Sequence, residues 1–133
     1  MIAFHLELQS GVPPYLQLVQ QVKQALRLGL LEVGEQLPTV REVVAQLTIN
    51  PNTVHKAYRD LEHEGLIVSR PGQGTFVLRT LAGPSLTQQA ALRRGLARWL
   101  ASARDAGLDE ESILALFTTT FRASQPQEGE EMA

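Results

Sequence analysis

The chain has 133 residues, 44% of them hydrophobic, with a net charge of −2, which suits one domain or a small domain with an appendage. It has no cysteine, which excludes a disulfide framework, a thiolate metal site and a cysteine nucleophile. No apolar run reaches membrane-spanning length and Met1-Ile2-Ala3-Phe4-His5 lacks the make-up of a secretory signal, so a cytoplasmic chain with no membrane partner is expected.

Ile2 to Leu8 alternates weakly and reads as an extended arm, and Ser10-Gly11-Val12-Pro13-Pro14 reads as a loop. Pro14 is tolerated in a first helical turn. Leu16, Val19, Leu26 and Leu30 then recur at helical spacing, widened by Leu18, Val22 and Ala25. Gln17, Gln20, Gln21, Lys23 and Arg27 fall on the opposite face, and Gly29 and Gly34 bracket the end. Thr39 and Glu42 form a capping box, in which each side chain satisfies the other's orphan backbone N–H. A short helix follows over Val43, Val44 and Leu47. Pro51 cannot sit in a helix interior and pushes Asn50 into an extended conformation. Those are the requirements of an N-cap followed by proline at the first helical position. A third helix therefore starts there, buries Val54, Ala57, Tyr58 and Leu61, and ends at Gly65.

The β-prone runs Leu66–Ser69 and Thr75–Leu78 flank Arg70-Pro71-Gly72-Gln73-Gly74 and read as a hairpin. Leu81 to Pro84 reads as a linker. A long helix is predicted from Ser85 to Ala106, with Leu92, Leu96, Trp99, Leu100 and Ala103 along one side. Gly107 suits its C-terminal cap. Asp109 can cap a final helix carrying Ile113, Leu114, Leu116, Phe117 and Phe121. The predicted fold is mainly α with a small β-hairpin wing. It comprises an N-terminal winged helix-turn-helix over 10–80, a C-terminal two-helix dimerisation region over 81–123 and a disordered polar tail over 124–133.

Two short helices joined by a tight turn present the second to a DNA major groove. With its apolar stripe turned inward, the third helix leaves Asn52, Thr53, His55, Lys56 and Arg59 facing or flanking the outside. Asparagine can bond adenine bidentately, threonine can meet the thymine methyl, and the helix N-terminus favours a phosphate oxygen. Lys56 and Arg59 can add phosphate contacts. Arg41 stands at the second position of the preceding helix, and the hairpin tip carries Arg70, Gly72, Gln73 and Gly74. Each feature alone has a plainer reading. A polar helix face is ordinary solvated surface, paired glycines are turn residues, and Arg41 can pair with Glu42 or Glu35. Residues 1–80 hold seven basic and seven acidic side chains, so a nucleic-acid partner must be met by the placement of charge. No Ser–His–Asp set or phosphate loop emerges, and His5, His55 and His63 lack metal-ligand spacing. No enzyme activity, cofactor or metal is expected.

The segments Leu37-Pro38-Thr39-Val40-Arg41-Glu42, Asn50 to Tyr58, Leu61 to Ile67 and Gly72 to Val77, in that order, resemble the GntR family of bacterial regulators. The Asn-Pro-Asn-Thr-Val turn and the short C-terminal part are similar to its YtrA subfamily. The likeness covers residues 10–80, with a fainter echo at Gly107–Ile113. It implies a winged-helix DNA-binding domain and a two-helix dimerisation region. It also implies DNA contacts from Arg41, from Asn50, Asn52, Thr53 and His55, and from the wing glycines Gly72 and Gly74. Many relatives outside the subfamily carry arginine where Pro51 and His55 stand, so their operator sequences do not transfer.

Two helices cannot alone enclose a cavity of ordinary ligand size, about 300 Å³ or more, so no small-molecule effector is assigned. The stripe through Leu92, Leu96, Trp99 and Leu100, with Ile113 and Phe117, needs cover. Either the chain's own DNA-binding domain or a symmetric partner can supply it, and the partner is favoured because it also sets two recognition helices on successive groove faces. The expected function is a homodimeric regulator, most simply a repressor, that binds double-stranded DNA at a palindromic operator of its own or a transporter operon. The alternative is a winged-helix module that binds another protein.

Overall fold

The computed structural model describes residues 1–83 and 86–125. Pro84 and Ser85, and residues 126–133 of the tail expected to be disordered, lie outside the described residues. The chain divides into two compact units, Met1–Leu86 and Thr87–Ala133.

The first unit contains α1 (Pro14–Arg27), α2 (Val40–Leu47), α3 (Pro51–His63), β1 (Ile67–Arg70) and β2 (Gly74–Val77). The local signals act as expected. The Thr39 hydroxyl accepts from the Glu42 N–H, and the Glu42 carboxylate accepts from the Thr39 N–H. Asn50 Oδ1 accepts from the Asn52 N–H at 2.8 Å, with Pro51 at the first helical position. Past α3, Gly65 takes a φ of 76°, and the N–H groups of Gly65 and Leu66 bond back to the carbonyls of Glu62 and Leu61. That pairing satisfies the orphan carbonyls and turns the chain from helix into strand.

Between α2 and α3 the turn passes through Thr48, whose φ of 55° is left-handed. A β-branched residue there is strained, at a cost of about 1–3 kcal/mol. Glycine removes the strain but gives the unfolded chain about 0.5–1 kcal/mol of extra freedom. Thr48→Gly is therefore expected to stabilise the protein by about 1 kcal/mol in urea unfolding.

One core holds this unit together. Leu18, Val19, Val22 and Leu26 of α1 meet Val43 of α2, Val54, Ala57, Tyr58 and Leu61 of α3, and Leu66, Ile67 and Val77. Leu30, read as part of the α1 stripe, is exposed. The helix stops at Arg27, the chain reverses at Gly29, and Leu31 enters the core instead.

A second correction concerns Gln17, assigned to the polar face. It is only 6% exposed. Its amide accepts from the Glu7 N–H and donates to the Glu7 and Val12 carbonyls and to Ser10 Oγ. One turn on, Gln21 holds both backbone groups of His5 in the same way. Four helical residues rise about 6 Å and two extended residues about 6.6 Å. The two glutamines therefore match the repeat of the arm, which forms no strand and is held by side chains while Phe4 enters the core.

In the wing, β1 and β2 pair antiparallel with Ile67 opposite Val77 and Arg70 opposite Gly74. The strands lie one residue nearer the turn than the β-prone runs imply, because Gln73 N–H closes on the Arg70 carbonyl at 2.9 Å and only Pro71-Gly72-Gln73 remain as loop. Residues 34–37 run along the outer edge of β2, with Leu37 N–H on the Thr75 carbonyl and Val77 N–H on the Glu35 carbonyl. The start of α2 is thus tied to the wing.

The second unit is a pair of helices, α4 (Leu86–Asp105) and α5 (Glu110–Ala123). Asp109 caps α5 by accepting from the Ser112 N–H at 2.8 Å. Hydrogen bonds from Ser112, its hydroxyl foremost, hold the Asp109 carboxyl below the usual aspartate range. Ala103 and Ile113 are buried within this unit. Most of the remaining apolar side chains are not.

Candidate nucleic-acid interface

The expected reading surface is exposed. Asn52, His55, Lys56 and Arg59 project from α3 into solvent, and Thr53 is half-buried beside Val54. Arg41 is exposed on the first turn of α2. Neither acid proposed as its partner takes it. Glu42 is held by the capping box, and Glu35 meets the N-terminal ammonium at 3.4 Å. Asn50 is exposed, but its side-chain oxygen is committed to the cap, which leaves only its amide N–H groups to donate outward.

Placement resolves the neutral charge balance. The first nine residues of α3 hold two cations and no acid, while Asp60, Glu62 and Glu64 lie in its last turn and beyond. Two of these acids are used internally. Glu62 accepts from the Ser69 N–H, and Glu64 pairs with Lys23 of α1 at 2.8 Å. The stretch that begins at the positive end of the helix dipole therefore carries cations as its only charged side chains, with the acids gathered at the other end.

Tyr58 ties α3 to the segment that leads into α2. Its hydroxyl donates to the Pro38 carbonyl at 2.6 Å inside the core, and burial, with nearby Glu42 as a lesser cause, pushes its phenol well above the usual 10.0. A buried tyrosine needs such a partner. Tyr58→Phe orphans the carbonyl, and a loss of about 1–2 kcal/mol is expected in urea unfolding. Unfolded tyrosine ionises near 10.0 while the folded chain keeps the proton, so stability is also expected to fall as pH rises through 10 and beyond.

The wing glycines separate into two roles. At Gly74, with φ of 125°, the backbone itself disfavours a side chain, and a Cβ would also stand 2.5 Å from Gln36 Nε2, the movable end of a flexible side chain. Gly72, with φ of 76°, has nothing within 4 Å of its Cβ position and leaves the wing tip open. Thr39 and residues 69–75 line an open depression of about 460 Å³ between the wing and the start of α2. Gln73 gives its carbonyl to Gln36 Nε2 at 3.3 Å and keeps an exposed side chain.

Two contacts had no signal in the sequence patterns. The Lys56 ammonium lies 4.1 Å from the centre of the Tyr15 ring, and the Arg70 guanidinium lies 5.2 Å from that of Phe76.

Residues 14–77 match the profile of the bacterial regulatory proteins of the gntR family. The HTH-type transcriptional repressor YtrA of Bacillus subtilis is 35% identical over 109 residues, which cover 79% of this chain and 82% of that protein. The chain belongs to the GntR family. Among solved structures, YtrA of Sulfolobus acidocaldarius, a GntR-family transcription factor, shares 32% identity over 73% of this regulator and 96% of that chain, with a TM-score of 0.53. A transcriptional antiterminator from Listeria monocytogenes shares 31% identity over 93% and 91%, with a TM-score of 0.57. This GntR protein is a DNA-binding transcription regulator with a winged helix-turn-helix, and it is not an enzyme.

In the two-helix unit of the regulator, Leu92 is 74% exposed, and Leu96, Leu114, Leu116, Phe117 and Phe121 are exposed as well. Trp99 and Leu100 are half-buried. Leu96, Trp99, Leu116, Phe117 and Phe121 line an open groove of about 320 Å³, with the Phe117 and Phe121 rings stacked at 6.0 Å. Of the residues expected at a dimer contact, Ile113 is buried inside the unit and the others are on its surface.

Proposed function

We propose that this regulator is a homodimeric repressor. It reads a palindromic operator with the N-terminal half of α3, steadied by Arg41 and the wing. The observation that carries the reading is the exposure of Asn52, His55, Lys56 and Arg59 along the acid-free first nine residues of α3, with Arg41 exposed on the first turn of the preceding helix. Asn52, Thr53 and His55 are assigned to base edges. Arg41, Lys56, Arg59 and Arg70 are assigned to phosphates or groove walls, with the amide of Asn50 and the tip at Gly72, Gln73 and Gly74 nearby.

The dimer reading rests on the apolar groove. Isolated soluble chains rarely leave five large apolar residues together in water, and such patches mark interaction sites. We assign Leu92, Leu96, Trp99, Leu100 and Phe117 to the contact, with Ile113 as the internal pin that holds α5 in place. Repression is supported by the similarity to a protein named as a repressor. The assigned targets are the chain's own operon or a transporter operon, in the cytoplasm. No helix among the described residues is long and apolar enough to cross a membrane.

The test is selection of duplexes from a randomised pool with the purified chain, followed by titration of the winners. The expected motif has two inverted half-sites about one helical turn apart, or a multiple of it, bound by two chains. Affinity should fall steeply with salt as phosphate contacts release counterions. A single unrepeated motif holding one chain would overturn the dimer, and absence of any salt-sensitive binding would overturn the DNA reading.

A further inference from the structure

Four cations of the first unit have partners that differ in kind. At the far end of α3, Lys23 is paired with the Glu64 carboxylate and Arg79 donates to the Glu64 carbonyl at 3.0 Å. On the face assigned to DNA, Lys56 rests over Tyr15 and Arg70 over Phe76. The difference matters physically. A carboxylate orders a cation and cancels its charge, whereas a ring face attracts it through a quadrupole and leaves the net charge in place. Lys56 has an acid within one helical turn, Asp60, yet its ammonium lies 4.1 Å from the Tyr15 ring centre.

Tyr15 is well placed for this. It stands in the first turn of α1, half-buried, and packs against the core, so its ring is anchored while one face remains free for Lys56. A lysine on four rotatable bonds otherwise loses much freedom when it binds a phosphate. A fixed ring restricts that freedom in advance and leaves ammonium protons directed at solvent.

We propose that Tyr15 is a positioning residue for DNA binding, seating Lys56 over its ring so that an ordered, uncancelled cation meets the duplex. The proposal rests on the assignment of α3 to the operator. It extends the interface to α1, an element that carries none of the assigned contacts.

The test compares Tyr15→Phe, Tyr15→Leu, Lys56→Met and the Leu/Met double variant. The probe is the tightest duplex selected by the unaltered chain, at one fixed salt concentration. Tyr15→Leu is expected to weaken binding about two- to fivefold, the span of an exposed cation–ring contact. Tyr15→Phe, which keeps the ring, restores that loss. In the Lys56→Met background, Tyr15→Leu should have no further effect on affinity. Any packing cost of Tyr15→Leu appears in urea unfolding equally in both backgrounds, so it cannot imitate this coupling.

Three results overturn the proposal. One is an equal affinity loss with and without Lys56. Another is a loss in Tyr15→Phe as large as in Tyr15→Leu, which assigns the role to the hydroxyl. The third is unchanged or tighter binding in Tyr15→Leu, which means that the ring withholds the lysine from DNA. If no duplex can be selected at all, the operator assignment fails first and takes this proposal with it.

Discussion

Phe117→Asp is expected to give a folded monomer that binds the selected palindrome about a hundredfold or more weaker than the unaltered chain. The reasoning starts from exposure. Phe117 lies on the surface of α5 and lines the groove with Leu96, Trp99, Leu116 and Phe121. A carboxylate there costs the isolated unit little, because water reaches it. In a closed contact between two copies, the same carboxylate is twice buried without a partner, a penalty of several kcal/mol. Joined subunits bind the second half-site as an intramolecular step, and separation removes that gain, typically 10²–10⁴-fold. Sedimentation equilibrium reads the association, and titration with whole and half operators reads the affinity. Half-site binding should be nearly unchanged. Ile113→Asp is a different experiment, since Ile113 is buried within the unit and its replacement is expected to unfold the helix pair. If Phe117→Asp remains dimeric at micromolar concentration, the groove is not the contact.

Arg41→Ala is expected to weaken operator binding by about 1–3 kcal/mol, roughly five- to 150-fold. Its effect on unfolding should stay within about 0.5 kcal/mol, since an exposed side chain free of ion pairs among the described residues holds nothing together. The salt dependence distinguishes the target of this guanidinium. If it meets a phosphate, the slope of log affinity against log salt falls by about 0.9, and Arg41→Lys recovers part of the loss. If it bonds a guanine edge in two places, the slope holds, discrimination at one base pair is lost, and lysine does not restore the two-pronged geometry. Unchanged affinity in Arg41→Ala removes the residue from the interface.

Much of the reading unit was legible from residue order, because its signals are local. A proline fixes its own φ and restricts the residue before it, so Asn50-Pro51 marks the start of α3 in any context. Thr39 and Glu42 are three apart and bond each other within a single turn. Where a signal depends on what lies across the fold, the reading was poorer. Leu30 has the right spacing for α1, but a turn at Gly29 takes it outward. Gln17 is polar by type and buried by circumstance, because an arm ten residues earlier offers it backbone partners.

The candidate site divides along the same line. Which side chains α3 turns outward follows from helical period and the apolar stripe, and both are written in the residues themselves. The sequence by itself therefore determined the order of elements, their caps and the polar face assigned to DNA. Only the tertiary structure decided what those groups meet: Lys56 over Tyr15, Arg70 over Phe76, Tyr58 on Pro38, and Gly74 against the side chain of Gln36. Arg70 and Phe76 stand on the two strands of one hairpin, but the other pairs join residues twenty to forty-one positions apart. Periodicity reports the face on which a side chain lies, and packing between elements determines what it meets there.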